Sequence, residues 1–157
     1  MKKLILLLAV SSSLFLSSCK EKEIVPQSQT VTGKLAVTQT SFTPYVFDNG
    51  KPIKAKIVQI NDVTLTQIGR IVGTVNVDFD LVQNKSGEVI IGYTDTIGDR
   101  IFTTSSSVAS ATGLTITEKI IGGTGKFSKI TGGGTYFIAL NFQTGNGTGD
   151  FSWTVTY

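Results

Sequence analysis

The chain has 157 residues, with 14 Lys+Arg against 11 Asp+Glu, one Cys and no His, enough for one domain with a real core and too few for two. Without histidine it excludes Ser-His-Asp and Cys-His catalysis and ordinary histidine metal sites. No block of clustered Lys or Arg supplies the electrostatic footprint of a nucleic-acid binder, so nucleic acid is not an expected partner.

The first residues follow an export pattern, with Lys2 and Lys3 as a positive start, Leu4 to Val10 as an apolar run and small residues at 17–18 before Cys19. A transmembrane span fails on length, because Ser11-Ser12-Ser13 breaks the run and Lys20 follows, well short of the roughly 20 apolar residues required. Leu16-Ser17-Ser18-Cys19 resembles the lipobox of bacterial lipoproteins. The resemblance implies a signal peptide over 1–18, removed in the mature chain, and a Cys19 that carries diacylglycerol and a palmitate-type acyl group. Removing Lys2 and Lys3 leaves 12 Lys+Arg against 11 Asp+Glu, so the mature chain is close to neutral. The only thiol is thereby committed to a lipid anchor in the membrane, which leaves neither a disulfide nor a thiol nucleophile.

Residues 19–30, including Lys20-Glu21-Lys22-Glu23 and Pro26-Gln27-Ser28-Gln29-Thr30, are too polar to fold and read as a linker. The charged tetrad resembles the signal after the lipidated cysteine of surface-displayed bacterial lipoproteins, and an ordinary solvated linker is the equal alternative. The expected place is the cell envelope, lipid-anchored at the outer membrane, with display on its outer face left open.

From Val31 to Tyr157 the signal is alternation of β-branched and aromatic residues, without a sustained helical period. Strands are predicted over 31–40, 53–66, 71–82, 88–96, 100–107, 114–121, 135–144 and 149–157. Between them, Asp48-Asn49-Gly50, Asn84-Lys85-Ser86-Gly87, Gly98-Asp99, Thr112-Gly113 and Gly145-Asn146-Gly147 favour tight reversals. Eight short-linked strands predict an all-β domain over 31–157. A single closed antiparallel eight-stranded, calycin-like barrel is the expectation, because closure removes unpaired edges; a folded-over sandwich is the alternative.

Along 74–81 the odd positions Val75, Val77, Phe79 and Leu81 are apolar and should share the dry face, which turns Asp78 and Asp80 to water. Tyr136, Ile138, Leu140 and Phe142 form a second row, and Phe151, Trp153, Val155 and Tyr157 a third. Phe79, Tyr93, Tyr136 and Trp153 are the expected cavity-lining residues. The run Thr103-Thr104-Ser105-Ser106-Ser107 is assigned to the outer face. Asp95, Asp99 and Arg100 gather near a turn, where an ion pair is expected; the spacing matches no calcium loop, and neither metal nor cofactor is expected.

The segment Gly122-Gly123-Thr124-Gly125-Lys126-Phe127 has the Gly-Lys pair of a phosphate loop but lacks the spacing, the following Ser/Thr and the helix. Its glycines suit close strand approach at a barrel rim, with Phe127 plugging one end. This segment, with Gly134-Thr135-Tyr136 beyond it, resembles the motif shared by dirigent proteins and allene oxide cyclases. Asp99-Arg100-Ile101-Phe102 and the ending 149–157 extend the resemblance over 71–157. It implies an eight-stranded barrel with an apolar central cavity, in a family where homo-oligomers are common. It transfers no catalytic residue, because no family site matches residue by residue.

Three functions remain: a non-catalytic barrel that binds a small apolar ligand or a partner, an isomerase or cyclase working in the cavity, and a scaffold with a filled interior. Polar groups aimed into the lumen would favour the second, and Tyr93, Tyr136, Glu118 and Asp95 are the candidates. Asp78 and Asp80, two carboxylates at i, i+2, are read as a solvated face.

Overall fold

A computed structural model describes residues 27–157. The leader, Cys19 and the charged tetrad lie outside the described residues. The strands are β1 (Ser28–Asp48), β2 (Lys51–Leu65), β3 (Gly69–Asp80), β4 (Lys85–Ser86), β5 (Val89–Asp95), β6 (Arg100–Ala109), β7 (Gly113–Gly123), β8 (Thr131–Asn141) and β9 (Asn146–Thr156). Each pairs antiparallel with its neighbours, and β1 pairs with both β2 and β9, so the sheet closes on itself. Short β4 and β5 both bridge β3 and β6, acting as one interrupted stave. The result is the closed eight-stranded antiparallel barrel that the alternation predicts.

The strand pattern explains itself at β3, where Ile71, Gly73, Val75 and Phe79 are buried and Thr74, Asn76 and Asp78 are exposed. The β1–β2 reversal is the two-residue Asn49-Gly50, both at positive φ, between paired Asp48 and Lys51. This is the turn whose twist matches that of the strands it joins.

Several expectations shift. β1 begins at Ser28, taking in three residues assigned to the linker, and runs to Asp48, so the first hairpin projects eight residues beyond the predicted 31–40. β8 begins at Thr131 rather than Thr135, because Gly132, Gly133 and Gly134 are strand and not turn. A Cβ at Gly133, itself at φ 149°, would lie 2.2 Å from the carbonyl oxygen of Glu118. The glycines therefore let β8 approach both neighbours closely. Phe142 and Tyr157 fall outside their strands and are exposed, since their rows end at Asn141 and Thr156.

The barrel has a closed and an open end. At the closed end, Ile68 from the β2–β3 turn and Phe127 and Ile130 from the β7–β8 connection are buried in the core. Phe127 sits in the 3-10 turn Gly125–Phe127 and is 2 % exposed, so it plugs this end as the sequence suggests. Lys126 beside it pairs with Asp95 at 2.7 Å, and its amide donates to Asp99 Oδ2 at 3.1 Å. Asp95 Oδ1 also accepts the amides of Ile97 and Asp99, both at 2.9 Å. The ion pair expected at this turn thus joins Asp95 to Lys126 across the barrel end. Arg100 instead lies over the Phe102 ring at 4.9 Å.

Candidate functional site

The open half of the barrel holds a cavity of about 370 Å³. Its walls are mainly apolar, from Val75, Val77 and Phe79 on β3, Ile91 on β5, Ile116 on β7 and Leu140 on β8. Val77 and Leu81 are half-buried for this reason, facing open space instead of packed side chains. Phe42 and Phe142 stand at the mouth, 46 % and 56 % exposed. A cavity of this size lies at the lower end of the range for small-molecule sites.

Polar groups line the cavity at two levels, Gln39, Asn84, Ser86, Ser107 and Gln143 toward the open end and a buried set where the cavity meets the packed half. Gln59, Asn61 and Ser105 line the cavity, and Asn61 and Ser105 are buried. Gln59 Nε2 donates to Asn61 Oδ1 at 3.2 Å, Asn61 Nδ2 to the Tyr93 hydroxyl at 3.3 Å, and that hydroxyl to Glu118 Oε1 at 2.9 Å. Trp153 Nε1 donates to Glu118 Oε2 at 3.2 Å. Ser105 and Tyr136 also face this carboxyl, although the buried Tyr136 hydroxyl makes no hydrogen bond of good geometry.

Local sequence makes the cluster possible. Gly73 lies between Asn61 and Tyr93 in the register, and a Cβ there would stand 2.9 Å from Tyr93 Cδ1; with none, the phenol crosses β3 to reach Asn61. Tyr93 meets Trp153 edge-on, with centroids 5.8 Å apart, and Phe151 stacks between Trp153 and Tyr136 at 4.7 and 4.4 Å.

Glu118 is 3 % exposed and has only neutral partners, two of them donating at hydrogen-bond distance. Burial therefore pushes its carboxyl up to about 7, while the hydroxyl and indole donors pull the other way. The same burial, with the Glu118 charge beside them, holds the phenols of Tyr93 and Tyr136 well above their ordinary value. The cluster is an acid–base group of near-neutral affinity, one hydrogen-bond chain behind the cavity floor.

The expected lining residues divide. Phe79 borders the cavity, whereas Tyr93, Tyr136 and Trp153 also point inward but lie in the packed half beneath it. Of the four polar candidates, Glu118, Tyr93 and Tyr136 meet in one cluster; Asp95 belongs to the plugged end. Asp78 is exposed and Asp80 half-buried, and Asp80 Oδ1 accepts the Val82 and Gln83 amides at 2.9 and 2.7 Å. Those backbone donors lower the Asp80 carboxyl below its ordinary range.

The outer-face assignment of 103–107 is corrected at alternate positions: Thr103 and Ser105 are buried inward, because Ile101 fixes the strand's parity, while Thr104 and Ser106 keep the outer face. Gln59 and Asn61 carried the same signal, sharing parity with buried Ala55, Val63 and Leu65 on β2. Among the described residues no group of three or more Cys, Asp and Glu is placed to hold a metal ion. A larger, shallow concavity of about 890 Å³ lies on the outer wall, beside the Lys34–Asp150 and Asp62–Arg70 ion pairs, and is open to water.

No family model matches the chain, and no curated protein matches it by sequence. Solved structures do match in fold. The pterocarpan synthase dirigent protein GePTS1 aligns with TM-score 0.56 and 10% identity, over 84% of this chain and 91% of its own. The pterocarpan synthase dirigent protein PsPTS1 aligns with TM-score 0.56 and 13% identity, over 83% and 96%. At such identities the likeness is one of fold: this chain has the eight-stranded barrel of dirigent proteins.

Proposed function

We infer that this protein is a binding barrel whose cavity holds a small, mainly apolar molecule at the cell envelope. The observation that carries the reading is the cavity of about 370 Å³, apolar in its walls and furnished with neutral polar groups at its floor. Dirigent proteins share the fold and support a binding role. The envelope location rests on Lys2, Lys3, the apolar run and Leu16-Ser17-Ser18-Cys19, which support export and lipidation of Cys19.

The test is extraction of the purified full chain into organic solvent, followed by mass spectrometry, alongside Val77→Phe, which narrows the cavity. A stoichiometric apolar molecule lost from the variant is the expected result. A chain that carries nothing, and does not enhance the fluorescence of an apolar dye, would overturn the reading. Labelled palmitate incorporated at Cys19, and abolished by Cys19→Ser, tests the anchor.

A second reading, an isomerase or cyclase acting on an apolar substrate in the cavity, is favoured by one observation. Glu118, pushed up to about 7, stands behind the floor with Tyr93, where a carboxyl can give or take a proton near neutrality. Chemical change of the bound molecule on incubation, lost in Glu118→Gln while binding persists, would decide for it.

A further inference from the structure

We propose that the cavity selects uncharged molecules, taken head-down, with one hydroxyl or carbonyl group seated on the Gln59–Asn61–Ser105 floor and an apolar body in the walls. The inference rests on the binding reading above and specifies its ligand class.

Its first support is the lining: among the described residues none that borders the cavity is Asp, Glu, Lys or Arg. A charged head would give up its hydration and find no counter-ion, a cost that neutral dipoles at a floor do not offset. The second is the floor's chemistry. Amides and a hydroxyl both donate and accept, and the chain from Gln59 to Glu118 uses only one N–H of each amide and the oxygen of Asn61. The Gln59 carbonyl oxygen makes no hydrogen bond within the described residues, and that side chain borders the cavity.

The third is the group behind the floor. Glu118 has neutral donors on both carboxyl oxygens, and its negative charge, when present, repels a carboxylate seated above it. An ammonium gains little in its place, since Asn61 and Ser105 stand between the cavity and the carboxyl. Alcohols, phenols, ketones and amides fit; fatty-acid anions and alkylamines do not.

The experiment compares decan-1-ol, decanoate and decylamine at pH 8, where the acid and the amine are charged. It uses the full chain with Cys19→Ser, so that no acyl group competes for an apolar cavity. Trp153, the only tryptophan, reports binding by its fluorescence from beneath the floor. The alcohol is expected to bind at least about tenfold tighter than either ion. Decanoate or decylamine binding as tightly as the alcohol overturns the selection and leaves the binding barrel standing, whereas failure of all three removes the binding reading itself. Gln59→Leu, half-buried and so tolerant of change, should weaken the alcohol at least about threefold; unchanged alcohol affinity overturns the head-down placement.

Discussion

The hydroxyl of Tyr93 donates to Glu118 Oε1 at 2.9 Å inside the barrel, fastening a carboxyl that has no cation beside it to a phenol on β5, across the intervening strand β6. That carboxyl holds its proton up to about 7. The folded protein therefore binds a proton that the unfolded chain releases near 4.5.

The contribution of Glu118 to stability should consequently be fully present below about pH 4.5, fall as pH rises, and level off above about 7, a loss on the order of 3 kcal/mol. Denaturant melts across this range measure it. Glu118→Gln keeps the hydrogen bonding and should flatten the profile; a variant as pH-dependent as the parent would place the effect elsewhere.

The closed end titrates in the opposite sense. Lys126 beside Asp95, with the Ile97 and Asp99 amides, lowers that carboxyl below 3.8. Its contribution is present above the ordinary carboxylate range and lost as pH falls through the depressed value. Asp95→Asn should raise the midpoint pH of acid unfolding, read by far-UV circular dichroism, and leave the window between 4.5 and 7 unchanged.

Phe127→Ala opens the plug. Deleting a buried aromatic ring costs about 3–5 kcal/mol, so the melting temperature should drop by well over ten degrees. Loss confined to under about 1 kcal/mol would mean that Ile68 and Ile130 close the end without it.

Gly133→Ala tests the approach of β8. The added Cβ would meet the Glu118 carbonyl oxygen at 2.2 Å, and backbone on a neighbouring strand cannot swing aside. Destabilisation of about 3 kcal/mol or more is expected, seen as early unfolding in urea. A neutral result would show that β7 and β8 separate freely.

The barrel was legible because alternation in β3, β8 and β9 fixes which side is dry, and because Asn49-Gly50 has one favoured turn. Phe127 was legible from its glycine-rich setting. The polar cluster was less so, since Gln59, Asn61, Thr103 and Ser105 are residue types that ordinarily face water. Only their parity with Val63 and Ile101 places them inside. Glu118 shared that signal, between Ile116 and Ile120. What no single-strand pattern contains is the gap at Gly73 that lets a side chain on β5 reach one on β2, because it depends on the register of three strands.

β1 leaves its first residue at the plugged end, where Ser28 pairs with Thr156, and the mouth opens at the far end of the same wall. Nine positions separate Cys19 from Ser28, a reach of at most about 30 Å, comparable with the roughly 30 Å that strands of about 11 residues span along a tilted barrel axis. With the proposed lipid at Cys19, the leash would join the barrel at its plugged end, so the mouth would be the part held furthest from the anchor. Held that way, the mouth would exchange the proposed cargo with water rather than with the bilayer.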